Sequence, residues 1–191
     1  MAIHKGTAAL KTRRLILRRF TLDDAQDVYD SYTSDELVSK WHNLDVQASV
    51  QDAQNMLSES IAKYVDPEYY HWAIEYDGRI VGEINFFDVE NRNERCEVGY
   101  TVGSKWWNHG IATEALTEVI RFAFDEVHFH KVCAQCDAAN VGSSRVMQKS
   151  GMKLEGLFRE HNMRKDGTRN DTAHYATFSR DWGEDNAGDG S

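Results

Sequence analysis

The chain has 191 residues, of which 41% are hydrophobic and 11% aromatic, a composition that suits one globular domain. Its 22 basic and 31 acidic residues give a formal net charge of -9, which argues against a nucleic-acid partner and fits a cationic or amine one better. No stretch approaches the roughly 20 apolar residues of a membrane span, and the N-terminus lacks the apolar run of a signal peptide. We therefore expect a cytoplasmic protein with no membrane partner.

The first half of the chain predicts a strand, two helices and a hairpin. A single domain is expected over residues 11–182, between a flexible segment (1–10) and a disordered acidic tail (183–191). Residues 14–20 are typical of a strand. Thr21 is a plausible N-cap of the first helix, and residues 46–65 have the apolar spacing of the second.

The hairpin occupies residues 71–88 and turns at Asp77-Gly78, a strong turn signal. A strand over residues 94–103 follows. Its alternation places Val98, Tyr100 and Val102 on one face and Glu97, Gly99 and Thr101 on the other.

The second half begins with the most regular helix, whose apolar stripe starts at Ile111. A short strand covers residues 131–138, and Asn140 then caps a helix that ends at Gly151. Two strands, 152–165 and 171–180, complete the chain. This order of elements predicts an α/β domain in which helices cover a mixed sheet.

The turn between the fourth strand and the helix at Ile111 indicates an anion site. The first N–H groups of a helix have no partners within it, and together with the helix dipole they favour a phosphate. Gly110 would let the ligand approach the backbone closely, and Ala112 keeps the first helical turn free of bulk. A glycine before a helix is more often only a turn, so this signal alone is weak.

Two segments, EVGYTVGSKWWNHGIATEAL and NVGSSRVMQKSGMKLEG, resemble the GCN5-related N-acetyltransferase (GNAT) superfamily, and within it the RimJ/RimL group of ribosomal-protein N-terminal acetyltransferases. The resemblance covers residues 12–182. It implies the GNAT fold, a mostly antiparallel sheet of about seven strands with helices on both faces, and acetyl-CoA as cosubstrate without a metal. The family turn Gln/Arg-x-x-Gly-x-Gly/Ala aligns with residues 107–112, where Trp107 departs from it.

The same resemblance assigns the cosubstrate site. It implies that acetyl-CoA contacts Tyr100, Thr101, Val102, Trp107, Asn108, His109, Gly110, Ile111, Ala112, Thr113, Asn140 and Ser143.

Acetyl transfer to an amine requires a base, a stabilised oxyanion and an acid for the leaving thiolate. Many relatives carry a glutamate at the position of Glu97, which makes it the candidate base, although a structural role is equally open. The acid of many relatives is a tyrosine that aligns with Met147. The ribosomal-protein relatives instead use a serine that aligns with Ser143, which is our candidate acid and also a common capping residue type.

The acceptor is predicted to be a primary amine, and first of all the N-terminal α-amine of a ribosomal protein. A small amine such as a polyamine or an antibiotic, and a non-catalytic acyl-CoA-binding module, remain alternatives. A homodimer is possible. Zinc binding by His128, His130, Cys133 and Cys136 is disfavoured because residues three apart in a strand face opposite sides.

Overall fold

The computed structural model describes residues 2–42 and 45–185. The strands are β1 (Leu10–Lys11), β2 (Leu15–Arg18), β3 (Tyr70–Tyr76), β4 (Arg79–Glu90), β5 (Arg95–Val102), β6 (Lys131–Asp137), β7 (Lys153–Met163) and β8 (Arg169–Phe178). The helices are α1 (Ala25–Val28), α2 (Glu36–His42), α3 (Val50–Lys63), α4 (Ile111–Asp125), α5 (Val141–Lys149) and α6 (Ser179–Asp185).

Within the described residues, eight strands form one sheet in the order β1-β2-β3-β4-β5-β6-β8-β7. Strands β5 and β6 run parallel, while β1–β2, β2–β3, β3–β4, β6–β8 and β7–β8 are antiparallel. The mixed, mostly antiparallel sheet expected from the sequence is therefore confirmed. The strand beyond the expected seven is β1, whose two residues pair with β2.

The chain divides into two compact units. We call residues 4–86 and 100–115 the N-terminal unit, and residues 1–3, 87–99 and 116–191 the C-terminal unit. Whether they behave as the single domain expected from the sequence stays a prediction.

In the N-terminal unit, α3 begins four residues later than predicted, because Ser49 and Asp52 form a capping box. Its predicted apolar face is confirmed, since Ala53 and Leu57 are fully buried. They pack in a core with side chains of α1, of β3 and of the π-helical segment Tyr29–Thr33.

Helix α2 lies in a region, residues 33–45, for which the sequence predicts no element. The carboxylate of Asp35 accepts a hydrogen bond from the Leu37 N–H (3.0 Å) at the start of this helix. The predicted hairpin is confirmed, and Asp77 and Gly78 both have positive φ, as a two-residue hairpin turn requires.

The C-terminal unit contains the predicted pair of long strands, β7 and β8, which turn at Gly167 (φ 81°). Asn140 caps α5 as expected, because its Oδ1 accepts a hydrogen bond from the Ser143 N–H (3.1 Å). The helix then ends before Gly151, whose φ is 80°.

The flexibility of residues 1–10 and the disorder of residues 183–191 stay predictions. In the segment expected to be flexible, the Gly6 N–H donates to the Pro67 carbonyl (2.8 Å) and Leu10 is buried in β1. Helix α6 extends into the start of the predicted tail, and residues 186–191 lie outside the described part of the chain. Among the residues described, no helix has the length and apolar content needed to cross a membrane.

Candidate active site

The turn between β5 and α4 is built by unusual backbone conformations. A single helical turn, Ser104–Trp106, follows β5, and both Asn108 (φ 63°) and Gly110 (φ 77°) then have positive φ. These angles bring the chain abruptly into α4. Gly110 itself is exposed, so its backbone is open to a ligand.

The Trp107 side chain ties this turn back to the strand before it. Its indole N–H donates a 2.7 Å hydrogen bond to the Val102 carbonyl, and 37% of the residue remains exposed. A tryptophan at this family position therefore anchors the turn through its side chain and leaves the following backbone free to face a ligand. The ring of Trp106 packs against Gly103, where any Cβ atom would also overlap the Ser31 carbonyl.

The start of α4 has the features of a phosphate site. The Glu114 N–H donates to the Gly110 carbonyl (2.9 Å), which places the amides of Ile111 and Ala112 in the helix turn that has no helical acceptors. Asn108 and His109 are exposed immediately before it. Amides at a helix N-terminus, aided by the dipole, bind anions such as the pyrophosphate of a nucleotide.

Arg14 adds a positive charge beside this turn, which the sequence analysis missed. Its Nη2 donates to the His109 carbonyl (3.0 Å), its Nε pairs with Glu114 Oε2 (2.7 Å), and its Nη2 lies 3.4 Å from where a Cβ on Gly110 would be. Burial alone would raise the pKa of Glu114, but hydrogen bonds from Thr12 and Arg14 outweigh it and lower that pKa. The carboxylate thus stays ionised and holds Arg14 in place.

The remaining predicted cosubstrate contacts of the N-terminal unit are Thr113, half-buried in the first turn of α4, and three residues at the end of β5. The Val102 carbonyl is occupied by the Trp107 indole, and the Thr101 hydroxyl lies 3.4 Å from His42 Nε2. Thr101 and Tyr100 are half-buried, so both have surface that a ligand can reach.

Glu97 lies in the C-terminal unit, on β5 opposite Cys133 of β6. Its Oε1 is buried and has no hydrogen-bond partner among the described residues. Burial raises the pKa of Glu97 above its ordinary value, although a hydrogen bond with Gln135 and the charge of Arg95 oppose the rise. A half-buried carboxyl group with a raised pKa and an unused oxygen has the properties of a general base.

Asn140, Ser143 and Met147 lie on or next to α5 in the same unit. Besides the cap that joins Asn140 to Ser143, the Ser143 side chain is hydrogen-bonded to the Cys136 thiol. Burial raises the pKa of that thiol, and hydrogen bonds from Ser144 and Ser143 oppose the rise. Met147 is fully buried, so a hydrophobic core contact replaces the tyrosine of many relatives.

The three cysteines are free thiols, and Cys133 and Cys136 both lie on β6. Across residues 2–42 and 45–185, no three His, Cys, Asp or Glu side chains are grouped as metal ligands.

A family model described as an acetyltransferase (GNAT) domain matches residues 14–153. The chain belongs to this family. The GNAT fold and the use of acetyl-CoA as cosubstrate, both expected from the sequence, are thereby confirmed, and the protein is an acetyl-CoA-dependent N-acetyltransferase.

Individual relatives agree with this assignment. An uncharacterized N-acetyltransferase of Bacillus subtilis is 30% identical over 169 residues, which cover 87% of this chain and 94% of that protein. The ribosomal protein uS5-alanine N-acetyltransferase of Escherichia coli is 31% identical over 104 residues, covering 54% of this chain and 53% of that enzyme. The crystal structure of a GNAT acetyltransferase from Bacillus anthracis superposes with a TM-score of 0.79 at 28% identity, covering 91% of this chain and 99% of that one.

Proposed function

We propose that this GNAT enzyme transfers the acetyl group of acetyl-CoA to the α-amine of a protein N-terminus, with a ribosomal protein as the first candidate. The observation that carries the proposal is the environment of Glu97, a half-buried carboxylate with a raised pKa and a buried oxygen without a partner among the described residues. The similarity to the uS5-alanine N-acetyltransferase supports the same class of acceptor.

A carboxylate base suits an α-amine better than a lysine side chain. An α-amine has a pKa of about 7.7–8.0, so about 10–20% of it is neutral at pH 7, whereas a lysine amine near 10.4 is only about 0.04% neutral. The α-amine therefore needs little help to lose its proton, and a single glutamate, acting directly or through water, suffices.

In the proposed reaction, the neutral amine attacks the thioester carbonyl carbon, and the carbonyl electron pair moves to oxygen. Glu97 accepts the proton that the nitrogen loses. The tetrahedral intermediate then collapses, the C–S bond breaks, and the Ser143 hydroxyl donates a proton to the departing sulfur and regains one from solvent. Backbone N–H groups near Tyr100 to Val102 stabilise the oxyanion.

The cosubstrate is held by its phosphates in the same proposal. The amides at the start of α4 and the Arg14 guanidinium bind the pyrophosphate, since both features concentrate positive potential at the Gly110 turn. Asn140 orients Ser143 through the cap of α5.

Thiol release from acetyl-CoA with matched peptides tests the acceptor class. One peptide has a free N-terminus and no lysine, and its partner has a blocked N-terminus and one lysine. We expect turnover of the first and almost none of the second at pH 7. A preference for the lysine peptide, or activity only with small amines, would contradict the proposal while leaving acetyl-CoA-dependent transfer intact.

Two finer expectations remain predictions. A homodimer would be detected by light scattering at micromolar concentration, and the cytoplasmic location would be detected by fractionation of the source cells.

A further inference from the structure

A second half-buried carboxylate, Glu83, lies in the N-terminal unit on β4, opposite Ala73 of β3. The Tyr32 hydroxyl donates to Glu83 Oε2 (3.1 Å), and His71 Nε2 lies 3.2 Å from the same oxygen. His71 is itself fixed, because its Nδ1 lies 3.2 Å from both the Ser60 and Tyr69 hydroxyl oxygens. One carboxylate oxygen is thus held in place by a network that the proposed reaction does not use.

The other oxygen of Glu83 is available. The contacts with Tyr32 and His71 both go to Oε2, so Oε1 takes no part in them, and 24% of the side chain is exposed. Among the described residues the ion-pair partner of Glu83 is His71, and not a lysine or an arginine. Burial alone would raise the pKa of Glu83, but the His71 hydrogen bond and charge outweigh it and lower that pKa, so the group is an anion at neutral pH.

The surroundings connect this anion with β5. His42 lies at the end of α2, and the charge of Glu83 acts to raise its pKa. The His42 Nε2 lies 3.4 Å from the Thr101 hydroxyl. Burial lowers the pKa of His42, which keeps its ring mostly neutral at pH 7 despite the opposing effect of Glu83. His42 therefore does not neutralise Glu83, and it lies next to a strand residue, Thr101, that is expected to contact the cosubstrate.

We infer that Glu83 binds a cationic side chain of the acceptor, a lysine or arginine near the accepting N-terminus. This inference rests on the proposed function, because it names a substrate feature for the same reaction. Glu83 is not suited to hold the accepting amine itself. An ionised carboxylate beside that nitrogen would stabilise its protonated form, which cannot attack the thioester.

Peptide binding in the presence of CoA tests this inference separately from turnover. The probes are peptides with a free N-terminal alanine and an arginine at position two or three, each matched with a citrulline peptide that lacks the charge. Of the two arginine peptides, we consider the one that wild-type protein binds more tightly. We expect its affinity to be about tenfold higher than that of its citrulline partner, as a charged hydrogen bond permits. Equal affinities for both members of each pair would overturn the inference, even if both are acetylated.

Glu83→Gln should reduce the arginine preference to near unity, with little change in affinity for the citrulline peptides. Glu75→Gln is the matched control, since Glu75 is a similarly half-buried carboxylate of the same unit that pairs with Arg18. It removes the same charge and should leave the preference intact. If Glu83→Gln fails to fold, Glu83→Asp retains the charge on a shorter side chain and should bind the arginine peptide less tightly but still with preference. A preference that survives in Glu83→Gln, or is lost equally in Glu75→Gln, would overturn the assignment.

Discussion

The Gly110 turn and the Glu97 strand position serve one proposed reaction by different physical means. At the turn, the groups that would hold the ligand are backbone amides, and the conformation is set by positive φ at Asn108 and Gly110. At Glu97, the useful group is a side chain whose chemistry is set by burial and by the absence of a partner for Oε1 among the described residues. A backbone site depends on shape, whereas a side-chain base depends on its electrostatic surroundings.

The difference predicts distinct responses to mutation. Damage to the turn should weaken binding of the cosubstrate and leave the chemistry of bound acetyl-CoA nearly unchanged. Substitution of Glu97 should slow the chemical step and leave binding of the cosubstrate nearly unchanged.

The largest effect is expected from Gly110→Asp. The new carboxylate would enter the phosphate site, where like charges repel by several kcal/mol, so affinity for acetyl-CoA should fall on the order of 1000-fold. Calorimetry with CoA measures the change.

Gly167→Asp is the matched control for that variant. Gly167 also has a positive φ (81°), but no atom lies within 4 Å of a Cβ added there. It carries the same backbone strain without a phosphate site and should bind CoA normally. Unchanged affinity in folded Gly110→Asp would place the phosphates elsewhere.

The second-largest effect is expected from Glu97→Gln. It removes the base but keeps the shape, so kcat/KM at pH 7 should fall a few hundredfold, within the range of general-base catalysis. Because burial raises the pKa of Glu97, the wild-type rate should increase with pH as this group loses its proton above the ordinary value of 4.5. The variant should lack that rise and recover part of its rate at high pH, where the acceptor deprotonates unaided.

Stability gives an independent check on Glu97. A carboxyl group with a raised pKa binds its proton more tightly when folded, so ionisation at neutral pH destabilises the native state. Glu97→Gln should therefore melt no lower than wild type at pH 7. Glu155→Gln, at an exposed carboxylate paired with Lys131, controls for the lost charge and should keep full activity. A lower melting temperature with a wild-type pH profile would assign Glu97 a structural role.

Ser143→Ala should have the smallest effect of the three, about 100-fold on kcat with little change in the KM for acetyl-CoA. Ser144→Ala provides the comparison, because the Ser144 hydroxyl lies 3.5 Å from the same Cys136 sulfur. If Ser143 only supports the thiol, the two variants should behave alike, and Ser143 would leave the mechanism.

Elements governed by local chemistry could be predicted from the sequence. The Asp77-Gly78 turn and the Asn140 cap depend on neighbouring residues, and both are confirmed. Helix α2 is short and β1 exists only through its pairing with β2, so neither has a clear periodic signal. The sequence presents one continuous helix here, whereas the structure continues α1 as a π-helical segment, Tyr29–Thr33.

The candidate site divides in the same way. The Gly110 turn is contiguous in the sequence and could be recognised there. Arg14 is 95 residues from His109, and Tyr32 is 51 residues from Glu83, so neither contact has a local signal. The raised pKa of Glu97 also depends on burial, which no residue spacing specifies.

The indole bond from Trp107 to Val102 has an evolutionary consequence. If main-chain atoms bind the cosubstrate, the side chains of this turn can change during evolution, provided that one of them still anchors the loop. Glutamine, arginine or tryptophan can then occupy that position without altering which donor molecule is used. Selection can act on acceptor choice at other positions, which is one physical route by which a single fold supports many different amine substrates.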